Sequence, residues 1–171
     1  MAALPRRRRG GKAPRLVPTV ASSWYLEPAL ASDLGEIGAL EGECYSDPWP
    51  ASSFASLPDN DRVFFVVARR APKQPITGYV VAWYVLDEAE LANLAVAPGH
   101  RRGGMGRSLL DAALHDAERR RVANMYLEVR DSNTAARRLY ASRQFVEIGR
   151  RKGYYRTPVE DALILRRTFV R

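Results

Sequence analysis

The feature that most constrains this chain is a strand-to-helix passage, Leu91-Ala-Asn-Leu-Ala-Val-Ala-Pro-Gly-His-Arg-Arg-Gly-Gly-Met-Gly-Arg-Ser-Leu-Leu110. Its first part, to Val96, is an apolar run suited to a buried strand; Pro98 and Gly99 stop it, and an apolar-periodic helix begins at Gly104. Between them lies Arg101-x-x-Gly104-x-Gly106. Glycines let backbone approach a ligand closely, and the first helical turn leaves N–H groups without internal partners. Those donors, the helix dipole and Arg101, Arg102 and Arg107 suit a diphosphate, cradled by the backbone from Arg102 through Gly103, Gly104, Met105 and Gly106 to Arg107. Two familiar cradles are excluded by one residue each. A P-loop would end in Gly-Lys-Ser/Thr, but Arg107 follows Gly106; a dinucleotide fingerprint would place a third glycine where Leu109 stands. The plain alternative is a glycine-rich surface turn with solvated arginines.

With 171 residues, 46% of them hydrophobic, the chain is long enough for one domain with a real core. No apolar run approaches the ~20 residues of a membrane span. Cys44 is the single cysteine, so no internal disulfide forms, and a reducing, cytoplasmic setting is expected. Two histidines and one cysteine do not make a usual zinc site, and no metal is expected. The net charge of +8 is concentrated at one end: Arg6, Arg7, Arg8, Arg9, Lys12 and Arg15 precede the first acid, Glu27. Residues 1–20, with Pro5, Pro14 and Pro18, read as a disordered basic arm able to touch a polyanion such as ribosomal RNA, or merely a solvated tail. Residues 21–171 read as the folded domain.

Within it, Trp24–Glu27 reads as a first strand, and Ser32 as the N-cap of a helix from Asp33 to Tyr45 with Leu34, Ile37 and Cys44 inward. Ser46-Asp-Pro-Trp-Pro50 is a turn before a short helix to Leu57. Arg62–Arg69 and Ile76–Leu86 form a hairpin, and Glu90–Val96 is the next strand. The helix from Gly104 to Arg121 puts Met105, Leu109, Ala113, Leu114 and Ala117 on one stripe. Met125–Val129 is again a strand, which makes a right-handed parallel crossover. A helix from Thr134 to Gln144 follows, then a closing pair of strands, Phe145–Arg151 and Ala162–Val170, joined through Gly153-Tyr-Tyr155 and Pro158. The class is α/β, a mixed sheet with helices on both faces.

The cradle resembles the acetyl-CoA signature of the GNAT acyltransferases, Q/R-x-x-G-x-G/A after an apolar strand. Further segments carry the resemblance: Asp47-Pro-Trp49, Asp87-Glu-Ala89, Asn93-Leu-Ala-Val96, Leu127-Glu-Val-Arg130, Asn133, Arg138-Leu-Tyr140, Tyr154-Tyr155 and Glu160-Asp-Ala162. Over residues 23–167 the chain is similar to the RimI-like branch, which acetylates the N-terminal alanine of small-subunit ribosomal protein eighteen. It departs from that pattern where Arg156-Thr157 precede Pro158, and where Arg143-Gln144-Phe145 lacks the glycine the family carries before its phenylalanine.

The resemblance implies a GNAT fold: a central, mostly antiparallel twisted sheet with one splayed parallel pair. It implies acetyl-CoA as co-substrate, with Leu94, Ala95 and Val96 offering backbone to the pantetheine arm in the manner of an added strand, and Asn133 bonding the cofactor besides capping its helix. It further implies Glu128 as general base, acting through water, and Tyr140 as the acid that protonates the leaving thiolate. Tyr45 and Trp49 on one loop, with Tyr154 and Tyr155 on another, would flank a protein N-terminus, most simply a ribosomal one. From the residues alone, the plainer readings are Glu128 as a strand glutamate facing solvent or paired with Arg130, and Tyr140 as a core tyrosine on the Ala136–Leu139–Tyr140 stripe. No histidine base is evident for Cys44, which speaks for direct attack over an acyl-enzyme. The rival readings are a GNAT acting on a small amine or lysine side chain, and a non-catalytic acyl-CoA-binding, ribosome-associated module.

Overall fold

Strands β2 (Val63–Arg69) and β3 (Ile76–Val85) are apolar on both sides and buried along almost their whole length, as a sheet covered on both faces requires. The computed structural model describes residues 24–170; the basic arm lies outside them. Around this pair run β1 (Tyr25–Pro28), β4 (Glu88–Val96), β5 (Asn124–Arg130), β6 (Val146–Arg156) and β7 (Val159–Thr168). They form one sheet in the order β1-β2-β3-β4-β5-β7-β6. Only β4 and β5 run parallel; every other neighbouring pair is antiparallel.

The parallel pair is joined by helix α3 (Met105–Arg119), whose expected stripe of Met105, Leu109, Ala113, Leu114 and Ala117 is buried against β2, β3 and β4. Each fully buried leucine there contributes roughly 1.5–3 kcal/mol. Helix α4 (Thr134–Ala141) packs Ala136, Leu139 and Tyr140 on the same cluster. The opposite face is covered by α1 (Leu34–Cys44) and α2 (Ala51–Phe54), through Ile37, Leu40 and Phe54. The expected mixed sheet, with one parallel pair and helices on both faces, is therefore what the chain forms.

A bulge in β4 matters most for the site. Val81 pairs with Asn93 and Ala82 with Leu91, so Ala92 has no opposite residue. Ala89 and Leu91 face the α3 side before the bulge, and Leu94 and Val96 after it, while Asn93 and Ala95 turn toward α1. An extra residue shifts the alternation by one and sharpens the local twist.

Some boundaries differ from expectation. Ser32 does not cap α1: a 3-10 turn over Ala31–Asp33 leads in, and Asp33 Oδ2 accepts the Leu30 N–H at 2.9 Å. That carboxylate braces the lead-in turn, and among the described residues no side chain caps the first N–H groups of α1. The closing hairpin is longer than expected: of the expected connection only Pro158 lies in the turn, at Thr157–Pro158, while Gly153–Tyr155 belong to β6. Gly153 instead sits in a bulge of β6 with φ +59°, its N–H held by Asp161 Oδ1 at 2.9 Å. Helix α4 stops at Ala141, and Gln144 takes φ +65° before buried Phe145. That is the position where the family's glycine is missing.

Candidate active site

Strands β4 and β5 pair over three positions only: Glu88 with Asn124, Ala89 with Met125 and Glu90 with Tyr126. Beyond them β5 stays on β7 as far as Arg130, and β4 stays on β3 as far as Val96. The two strands splay, opening a gap between Leu91–Val96 and Leu127–Arg130. Parallel pairing holds less strongly per residue than antiparallel, and the β4 bulge turns the strand where the pairing ends. The carbonyls of Leu94 and Val96 meet side chains: Tyr45 Oη donates to Leu94 O at 2.7 Å, Arg101 Nε to Val96 O at 3.0 Å, and Cys44 Sγ to the same oxygen at 3.4 Å. Tyr45 thus lies against the splay as well as on its loop, and burial holds its phenol well above the ordinary range.

At the end of β4 the chain turns through the glycine-rich segment into α3. Gly104 is the residue before the helix, with φ +89°, and a Cβ there would meet nothing within 4 Å. The backbone angle, not crowding, asks for glycine. At Gly103 a Cβ would come within 3.1 Å of the Trp24 ring. At Gly106 it would lie 3.6–3.8 Å from Leu139, Val96 and Leu94, so the first turn of α3 sits directly over the splay. Met105 is buried, its sulfur facing Thr77 Oγ1; Arg102 and Arg107 are exposed. The N-terminus of a 15-residue helix, an open glycine turn and a strand edge leading to it form one continuous track that fits a diphosphate followed by an extended amide chain. Asn133 caps α4, its Oδ1 accepting from Ala136 N at 3.1 Å.

Glu128 faces the α1 side of the sheet, because its neighbours Leu127 and Val129 face α3. It lines a cavity of ≈ 340 Å³ with Trp83, Glu88, Glu90, Tyr126 and Arg151. Its ion-pair partner is Arg151, at 2.9 Å, and not Arg130. The nearby Glu128 carboxylate raises the Tyr154 phenol's pKa. Tyr155 feels Glu128 too, and burial, the larger cause, pushes it up to about 12. Tyr140 comes from the other face, 8% exposed and edge-on to Phe145. Burial first, then the nearby Tyr155, holds its hydroxyl well above the ordinary range, so it stays protonated at neutral pH. Tyr155 therefore lies within electrostatic reach of both Glu128 and Tyr140.

Two residues were missed in the sequence. Arg130 stacks on Tyr155 at 4.0 Å and reaches Ser46 Oγ, Thr157 O and Pro158 O at 3.2, 3.2 and 3.3 Å, tying the α1–α2 loop to the β6–β7 hairpin. Glu41 is 1% exposed, and it accepts from Trp49 N at 2.8 Å, from Asn93 Nδ2 at 3.2 and 3.3 Å, and from the Tyr79 hydroxyl. Trp49 is placed by that bond and by Phe54, 5.5 Å from its ring. Glu41 stands four residues after Ile37, on the buried stripe of α1; an acid at that spacing was the available signal.

The sequence model of the acetyltransferase (GNAT) family matches residues 34–145. The chain is 37% identical over 136 residues to the [ribosomal protein bS18]-alanine N-acetyltransferase of Escherichia coli K12, covering 78% of this chain and 90% of that protein. The crystal structure of the ribosomal-protein-S18-alanine N-acetyltransferase from Escherichia coli superposes with a TM-score of 0.76 at 34% identity, over 84% of this chain and 92% of that one. Arabidopsis thaliana NAA60 in complex with acetyl-CoA has the same fold, with a TM-score of 0.77 at 18% identity over 85% of this chain and 98% of that one. Among the described residues no group of three His, Cys, Asp or Glu could hold a metal ion, and no helix is long and apolar enough to cross a membrane.

Proposed function

The chain belongs to the acetyltransferase (GNAT) family, and from that premise we propose that it moves the acetyl group of acetyl-CoA onto the N-terminal alanine of ribosomal protein bS18. Acetyl-CoA supplies an activated thioester. The track along Leu94–Val96 and the turn from Arg101 to Arg107 hold it, with Asn133 at the head of α4 beside the same gap. The observation that carries the reading is the splay, which leaves a strand edge leading from the glycine turn to the cavity containing Glu128.

An α-amine has an unperturbed pKa of ≈ 7.7–8.0, so it needs to lose one proton before it attacks. That first proton passes to solvent; the neutral amine then attacks, and Glu128, reached directly or through one water, accepts the second proton that the nitrogen sheds as the new N–C bond forms. The C–S bond breaks, and the thiolate takes its proton from Tyr140, whose hydroxyl burial keeps protonated. Direct attack of this kind needs no acyl-enzyme. Tyr45, Trp49, Tyr154 and Tyr155 flank the incoming peptide, and Arg130 keeps their two loops together. The arginines of residues 1–20 add a weak contact to ribosomal polyanion, readable as binding that fades with salt.

The experiment is a peptide panel differing in the first four residues, incubated with acetyl-CoA and read by mass spectrometry. Alanine-first peptides matching bS18 are expected to lead. A small-amine acceptor is the second reading, favoured by Glu88, Glu90 and Glu128 in one cavity; polyamines acetylated faster than any peptide would establish it instead. Acetylation spread over internal lysines would reject the N-terminal assignment.

A further inference from the structure

Arg151 stands where a cationic acceptor would have to arrive. Its Nε is 2.9 Å from Glu128 Oε1, and both residues line the same cavity. Its side chain is 56% exposed against 24% for Glu128, so the guanidinium approaches the carboxylate from the solvent side. The backbone is shaped to deliver it. Arg151 pairs with Ala162 and Tyr155 with Glu160, so Lys152, Gly153 and Tyr154 bulge out opposite the single residue Asp161. Gly153 at φ +59° and its bond to Asp161 fix that bulge, and Tyr154 lies with its ring 5.4 Å from the Arg151 guanidinium.

We infer that Arg151 is an internal stand-in for the acceptor's ammonium group, occupying Glu128 until a peptide N-terminus displaces it. The inference rests on Glu128 being the acceptor-side base. A guanidinium suits the task chemically. It keeps its protons at any physiological pH, so it neither attacks the thioester nor hands Glu128 a proton. An ion pair open to water is weak, so an arriving ammonium can replace it, and the bulge lets Arg151 swing away without unpairing the sheet. The latch also discriminates: a free, cationic N-terminus competes for Glu128, whereas a blocked N-terminus has nothing to exchange.

The test is Arg151→Ala, with Arg151→Lys as the conservative variant, assayed on a synthetic alanine-first peptide. Removing the stand-in is expected to lower the peptide KM about threefold, as suits a solvent-exposed pair, with kcat within twofold and the acetyl-CoA KM unchanged. Arg151→Lys should return the KM toward the parent value. Calorimetry adds a readout that a merely structural arginine would not move. The free-amine peptide should bind Arg151→Ala more tightly, and its Nα-acetylated form should bind both proteins alike. A peptide KM that is unchanged or raised, or equal tightening for the blocked peptide, overturns the inference. Glu128→Gln run in parallel separates the two claims: full turnover in that variant sinks the base assignment, whereas lost turnover with an unmoved Arg151→Ala KM sinks the stand-in alone.

Discussion

Two glutamates lie on the α1 side of one sheet and live in opposite circumstances. Glu41 is sealed in, and its oxygens are occupied by an amide, a phenol and a backbone N–H, all neutral. Glu128 sits at the rim of a cavity, paired with a guanidinium from the solvent side and near Tyr154. Burying a carboxylate is costly unless its hydrogen bonds are satisfied, and breaking one such bond leaves an orphan. Glu41 is thus fixed in place and fixes others: it holds Asn93 in the β4 bulge, Tyr79 in the core and Trp49 on its loop. Glu128 has partners that can leave. A carboxylate that must exchange protons needs replaceable neighbours; one that must hold geometry needs permanent ones.

The contrast breaks most easily at Glu128. Glu128→Gln is expected to lower kcat by about 10²–10⁴-fold, the usual worth of a general base, while the melting temperature stays within about a degree. A variant that loses stability and keeps turnover would reverse the assignment. Glu41→Ala should do the converse. Three donors lose their acceptor, so stability should fall by about 3 kcal/mol, which lowers Tm by about 6–12 °C in a domain of this size. Calorimetry of the purified variant checks it, and an unchanged Tm would show that the buried network contributes nothing.

Alkaline pH sharpens the same comparison. Burial, then the Glu41 hydrogen bond, raises the Tyr79 pKa far above 10. The unfolded chain releases that proton near pH 10 and the native one retains it, so above pH 10 the native state binds more protons and stability falls as pH rises. Between pH 10 and 11 the parent should lose about 1 kcal/mol more than Tyr79→Phe, measured by denaturant titration. Equal slopes would mean that Tyr79 ionises as freely folded as unfolded. The smallest effect is expected away from both glutamates. Gln144 holds φ +65° with a side chain, and Gln144→Gly should stabilise by about 1 kcal/mol, with no change in KM for either substrate.

That last residue shows how far the sequence could be read. The missing glycine before Phe145 was visible as a departure from the family pattern, and the chain answers it by forcing glutamine into the left-handed region. The stripe of α3, the cap at Asn133 and the parallel crossover were likewise readable, because periodicity and capping act within a few residues. The burial of Tyr140 followed from its stripe with Ala136 and Leu139. Glu128 was legible as an odd acid in an apolar strand, but its partner was not. Arg130 is closer in sequence and on the same face of β5, yet its guanidinium is taken up by Tyr155, Ser46 and Thr157, while Arg151 arrives from a strand two places away in the sheet.

The sequence by itself determined the elements, their amphipathic faces and the glycine turn that opens α3, since each depends on neighbours a few positions apart. Tertiary structure alone decided where β4 leaves β5, which carboxylate is sealed and which is reachable, and which arginine meets Glu128. Those outcomes depend on a one-residue bulge, on strand order and on burial, and all three bring together groups that the linear chain keeps far apart.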